Sequence, residues 1–107
     1  MSTPYRSVYL TFPDPASAER IGRALVDDRL VACINILPGA LSLYRWHGEV
    51  ERDSEVVAFA KTRAELVPAV ARRVRELHPY DVPCVVALDI DGGDGAYLRW
   101  IGDETQA

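Results

Sequence analysis

Three side chains are the sequence's candidate metal donors: Cys33, His78 and Cys84. His78 and Cys84 share one short segment stiffened by two prolines, Leu77-His78-Pro79-Tyr80-Asp81-Val82-Pro83-Cys84. Imidazole and thiolate both bind divalent metals, but two donors make only half of a tetrahedral site. Repetition across an oligomer interface would complete one. His78 also falls where a helix ends, and there a capping hydrogen bond is an equally good use for it. Cys33, between Ala32 and Ile34, reads either as a small buried hydrophobe or as a soft ligand or redox thiol. Cys84 has the same two readings. His47 falls in a turn and reads as solvated.

The motifs of catalysis are missing. The sequence has no Gly-x-Ser-x-Gly, no glycine-rich phosphate loop, no Cys-x-x-Cys and no His-x-x-x-His. No nucleophile is legible beside a base, so the chain reads as a binding protein and not as an enzyme. The candidates for a ligand-binding or intersubunit cleft are Tyr44, Trp46, Glu55, Lys61, Tyr80 and Asp81. The prolines make a rigid mount for Tyr80 and Asp81. Lys61 is either a snorkelling strand end or a charge facing that cleft. Tyr97 and Trp100 read as packing residues.

The elements that must position these residues follow from periodicity. Ser7–Phe12 is β-branched and aromatic and is stopped by Pro13, which marks a strand. Asp14 or Ser17 caps a helix with Pro15 in its first turn, whose inner face is Ala18, Ile21 and Leu25. Val31–Leu37 is a second strand, continued past a bulge at Pro38-Gly39 by Leu41–Trp46. His47-Gly48 is a tight turn, and Glu49–Lys61 returns. Thr62 and Glu65 have capping-box spacing, although Pro68 asks for a later helix start. Val67, Val70, Ala71, Val74 and Leu77 form that helix's inner face. Cys84–Ile90 is a last strand, and Tyr97–Ile101 closes the chain as helix or strand. The ends of the chain and the stretch Asp91–Gly95 read as loose.

The order β-α-β-β-α-β implies an α+β, ferredoxin-like split βαβ sandwich, a four-stranded antiparallel sheet with both helices on one face. The 107 residues fit one domain, 1–107. A net charge of −4 argues against a nucleic-acid surface, which would need a clustered basic face. No apolar run reaches the roughly 18 residues that a bilayer span needs. Two cysteines cannot build a disulfide scaffold, and the first residues lack the order of a signal peptide, so a cytoplasmic protein with reduced thiols is expected. The arms of the central hairpin, at about 3.3 Å per residue, outrun helices that rise about 1.5 Å per residue. The overhang carries Leu41, Leu43, Tyr44 and Trp46, which only another copy of the chain would cover economically. A homo-oligomer is expected.

Several ordered stretches resemble one family. They are Leu30-Val31-Ala32-Cys33-Ile34-Asn35-Ile36-Leu37-Pro38-Gly39, Ser42-Leu43-Tyr44-Arg45-Trp46-His47-Gly48-Glu49-Val50, Lys61-Thr62, His78-Pro79-Tyr80-Asp81-Val82-Pro83 and Tyr97-Leu98-Arg99-Trp100-Ile101. From Val8 to Ile101 the chain resembles the CutA divalent-cation tolerance proteins. The resemblance implies a ferredoxin-like subunit, a homotrimer built through the hairpin, and tolerance to divalent metals with copper binding in some members. Of the donors proposed in copper-binding members, only His78 carries over. Leu10 and Leu77 occupy the other positions, and Cys84 stands where glutamate is usual. The alternatives are a trimer that binds a small ligand, resembling the PII signalling proteins in plan, and a structural scaffold without metal.

Overall fold

The structure, a computed structural model, describes residues 3–106. Met1, Ser2 and Ala107, at the ends read as loose, lie outside the described residues. The elements run β1 (Tyr5–Phe12), α1 (Pro15–Asp27), β2 (Cys33–Trp46), β3 (Glu49–Arg63), a 3-10 turn (Ala64–Leu66), α2 (Val67–Leu77), β4 (Val85–Asp89) and α3 (Gly95–Asp103). One antiparallel sheet has the order β2-β3-β1-β4. This is the α+β plan that the element order implies.

Alternation decides the two faces of the sheet. Val8, Leu10 and Phe12 of β1 and Val56, Ala58 and Ala60 of β3 point to one side and are almost wholly buried. Ala18, Ile21 and Leu25 of α1 and Val70 and Val74 of α2 close over them, with no residual exposure. Gly22 lets α1 approach β2 closely in that layer, since a Cβ there would sit 3.0 Å from Ile34 Cγ2 and Ile34 would have to give way. α1 starts where Asp14 Oδ1 accepts the Ser17 N–H at 2.7 Å, a bond that also holds the Asp14 carboxyl below its ordinary pKa. It stops at Arg29, whose φ is +60°.

α3 lies on the opposite face. Tyr5, Ser7 and Lys61 alternate with the core residues, and α3 meets that side: the Cys33 Sγ lies 3.6 Å from Tyr97 Oη, and Arg63 Nε donates to Thr105 Oγ1 at 2.9 Å. The closing segment is therefore helical, capped by Asp94 Oδ2 on the Tyr97 N–H. The tail after Gly102 is not loose. Thr105 is buried and Gln106 N–H donates to Arg29 O.

Three boundaries depart from the sequence reading. Thr62 does not cap a helix; it is the penultimate residue of β3, fully buried, and its hydroxyl donates to Leu30 O at 2.6 Å. A long-range acceptor outcompetes the local capping box, and α2 starts later, with Pro68 in its first turn. Val31 precedes β2 because its N–H closes the end of α1 on Leu25 O. Cys84 precedes β4, in the strap between α2 and that strand.

The hairpin sets the long dimension of the molecule, 44 Å against 28 and 23 Å. β1 pairs with β3 only from Val56 to Arg63, so residues 49–55 have β2 alone beside them. The register shifts once, between Leu37 and Ala40, where Gly39 takes φ +94°. The tip turns on His47 and Gly48 with φ of +51° and +84°.

Candidate functional site

β1 stops at Pro13 while β3 runs on, and the step this leaves is a cleft. It has a volume of about 650 Å³. Tyr9 and Thr11 floor it, Leu41 to Tyr44 and Trp46 of β2 with Glu55 of β3 wall one side, and the strap residues Tyr80, Asp81, Val82 and Cys84 wall the other.

His78 fixes the strap. Its ring stacks on Phe12 with centroids 5.3 Å apart. Its Nδ1 accepts the backbone N–H of Tyr80 at 3.1 Å, so Nδ1 carries a lone pair. Nε2 then carries the proton, which it donates to Thr11 O at 2.8 Å. One tautomer satisfies both contacts, and neither nitrogen is left for a metal. His78 is 8% exposed.

From that clamp Tyr80 reaches across the cleft and its hydroxyl donates to Glu55 Oε2 at 3.0 Å. On the opposite wall the Tyr44 hydroxyl donates to Asp53 Oδ2. Both phenols are pushed up to about 12, Tyr44 chiefly by that hydrogen bond and Tyr80 chiefly by burial with Glu55 second. They stay neutral at physiological pH and act as donors to carboxylates. Burial also pushes the Cys84 thiol up, and the Glu55 charge adds to the shift; a hydrogen bond with Thr11 opposes them. A thiol held protonated is a poor nucleophile and a poor metal ligand.

The candidate donors are not brought together. Cys84 lines the cleft. Cys33 lies at the far end of β2, paired in register with Lys61 and in contact with Tyr97, whose phenol is pushed up by its bond with the thiol. Among the described residues no group of three or more His, Cys, Asp or Glu is placed to hold a metal ion. Tyr44, Trp46, Glu55, Tyr80 and Asp81 do share the cleft. Lys61 does not: about 3.3 Å per residue of β3 separates it from Glu55, and its Nζ donates to Asn35 Oδ1 at 3.3 Å.

Sequence reasoning missed Thr11, Tyr9 and Asp53. A signal for Asp53 was present. Glu49, Glu51, Asp53 and Glu55 alternate, so all four carboxylates fall on one face of β3, the face that carries Tyr44 and Trp46 on β2. Thr11 and Tyr9 are visible only once β4 and β3 have flanked β1.

The family model described as CutA1 divalent ion tolerance protein matches residues 6–104. The chain is 46% identical over 98 residues to the divalent-cation tolerance protein CutA of Thermus thermophilus, covering 92% of this chain and 95% of that protein. It is 42% identical over 101 residues to protein CutA of Mus musculus, covering 94% of this chain but only 57% of the mouse protein, so it spans little more than half of that relative's length. Among solved structures, CutA from Xylella fastidiosa superimposes with a TM-score of 0.94 at 41% identity, covering 97% of this chain and 100% of that one. The Thermus thermophilus CutA1 structure gives a TM-score of 0.93 at 44% identity, covering 95% and 99%.

Proposed function

The chain belongs to the CutA1 divalent ion tolerance family, and from that premise we propose that it works as a homotrimer that binds and does not catalyse. Its working cleft is the one at the root of the hairpin, at the junction between copies. The observation that carries this reading is the overhang. Leu41, Leu43 and Val50, which share one face of the hairpin by register, are 56%, 67% and 65% exposed. Burying such side chains contributes about 1.5–3 kcal/mol each, and a second copy is the partner always at hand. The number three is what the family resemblance implies.

Binding is favoured over catalysis because the groups in and around the cleft are already committed. Both tyrosine protons go to carboxylates, both His78 nitrogens are engaged, and the Cys84 thiol is held protonated. For the same reason the residues of one chain do not fit a divalent metal, and copper has no prepared donor set among the described residues. His78 acts as the clamp of the strap. Among the described residues no helix is long and apolar enough to cross a membrane, and two free thiols suit the reducing cytoplasm that we assign to it.

Native mass spectrometry of the whole chain, with and without Cu(II), tests this reading. The expected spectrum is a three-chain species whose copper uptake is unchanged by His78→Gln. A single-chain species, or stoichiometric copper that His78→Gln alone abolishes, would overturn it.

A further inference from the structure

We infer that the cleft between the hairpin and the strap is a site for an organic cation: an ammonium or guanidinium group carried on an apolar body. This rests on the reading of the cleft as the working site and names the class of ligand it takes.

Three features point the same way. The first is size. At about 650 Å³ the cleft falls within the range of about 300–1,000 Å³ typical of small-molecule sites. The second is its walls. Tyr44, Trp46 and Tyr80 stand around it, each only partly covered, so a guest has aromatic surface to bury. The electron-rich face of such rings attracts a cation held within about 6 Å. The third is its charge. Among the described residues no lysine or arginine lines the cleft, and the charged residues that do are the carboxylates Glu55 and Asp81. The Tyr44 and Tyr80 hydroxyls have already given their protons to Asp53 and Glu55, so their oxygens offer only lone pairs inward. The Trp46 indole and the hydroxyls of Tyr9, Thr11 and Ser42 can still donate, so it is charge that selects: two carboxylates favour a positively charged guest and repel phosphate and carboxylate.

A bare metal ion is the poorer occupant. The carboxylates do not converge with a third donor, and the lining is mostly apolar carbon, which desolvates an inorganic ion without replacing its water. An organic cation sheds little hydration and uses the aromatic area. The clamp on His78 keeps Tyr80 in place before a ligand arrives, which lowers the cost of binding.

The test is calorimetric titration of the whole chain with benzyltrimethylammonium, alongside benzyl alcohol and benzoate as neutral and anionic counterparts at matched ionic strength. Native mass spectrometry on the same samples reports assembly independently. Saturable binding of the cation, with neither counterpart binding comparably, is expected. Trp46→Leu should weaken it roughly two- to thirtyfold, the span of a cation–π contact, and Glu55→Gln and Asp81→Asn should each weaken it without changing the assembly mass. No saturable heat from an intact trimer overturns the inference, because the cleft is then filled by the neighbouring copy, and it leaves the proposed assembly standing. Equal binding of benzoate, affinity unmoved in both carboxylate variants, or stoichiometric displacement of the cation by Cu(II) also overturns it. A single-chain mass that still binds the cation overturns the proposed trimer instead.

Discussion

From Val56 to Arg63, β3 lies between β1 and β2 with two helices over one face; from Glu49 to Glu55 it has only β2 beside it. The strand is continuous and its pleat does not change, but its chemistry does. In the covered half Val56, Ala58 and Ala60 point inward at 3%, 0% and 0% exposure, small enough for helices to approach closely. In the overhanging half the inward positions become Ser54, Arg52 and Val50, with Leu41 and Leu43 opposite, and the outward positions become carboxylates. One strand thus carries a core pattern and then an interface pattern. The lesson is that a strand longer than its cover is readable as half fold, half assembly.

The comparison can be broken at either end. The largest effect is expected in the covered half. Leu10→Ala, at a site with no exposure, should cost about 2–5 kcal/mol in denaturant unfolding measured at fixed protein concentration. A loss below about 1 kcal/mol would contradict the packing described, since even trimming one buried methyl group typically costs about 0.5–1.5 kcal/mol. In the overhanging half, Leu43→Asp should dissociate the assembly while the far-ultraviolet circular dichroism stays unchanged; unfolding along with dissociation would show that the two halves are not separable. Thr62→Val sits at the junction of β3 with the 3-10 turn. It leaves Leu30 O without its donor and should cost about 1–3 kcal/mol.

The smallest effect separates the halves by titration. Tyr44 and Tyr80, on the overhang and the strap, have folded pKa values of about 12 against an ordinary value of 10.0. A raised folded value means that their contribution to stability is complete below pH 10 and is lost as pH rises through about 12. The tyrosinate absorbance of wild type should therefore rise later than that of the denatured chain, and Tyr80→Phe should remove part of the delayed rise. Coincident titration of the folded and denatured chains would contradict the Tyr44–Asp53 and Tyr80–Glu55 bonds.

Much of the fold was legible because its signals are local. Alternation, proline stops, the Asp14 cap and the Pro38-Gly39 bulge each act within a few residues. The overhang was legible too, as a mismatch of lengths. The misreadings are all long-range. Thr62 looks like a cap until Leu30 O lies beside it. The tail looks loose until Arg63 reaches Thr105. Tyr44, Trp46, Glu55, Tyr80 and Asp81 line one cleft, and their grouping was legible because the proline-stiffened strap and the hairpin face are both written in the sequence. Lys61 was misplaced, since its position along β3 depends on where β1 ends. The His78 tautomer was illegible, because it is set by the carbonyl of Thr11, far away in the chain.

The claim that the overhanging half of the hairpin is an interface is tested most directly by sedimentation equilibrium of the wild-type chain at micromolar concentration. The account predicts one species with the mass of three chains, and a single-chain species for Leu43→Asp. A wild-type chain that sediments as one copy, with Leu41, Leu43 and Val50 left in water, would contradict it.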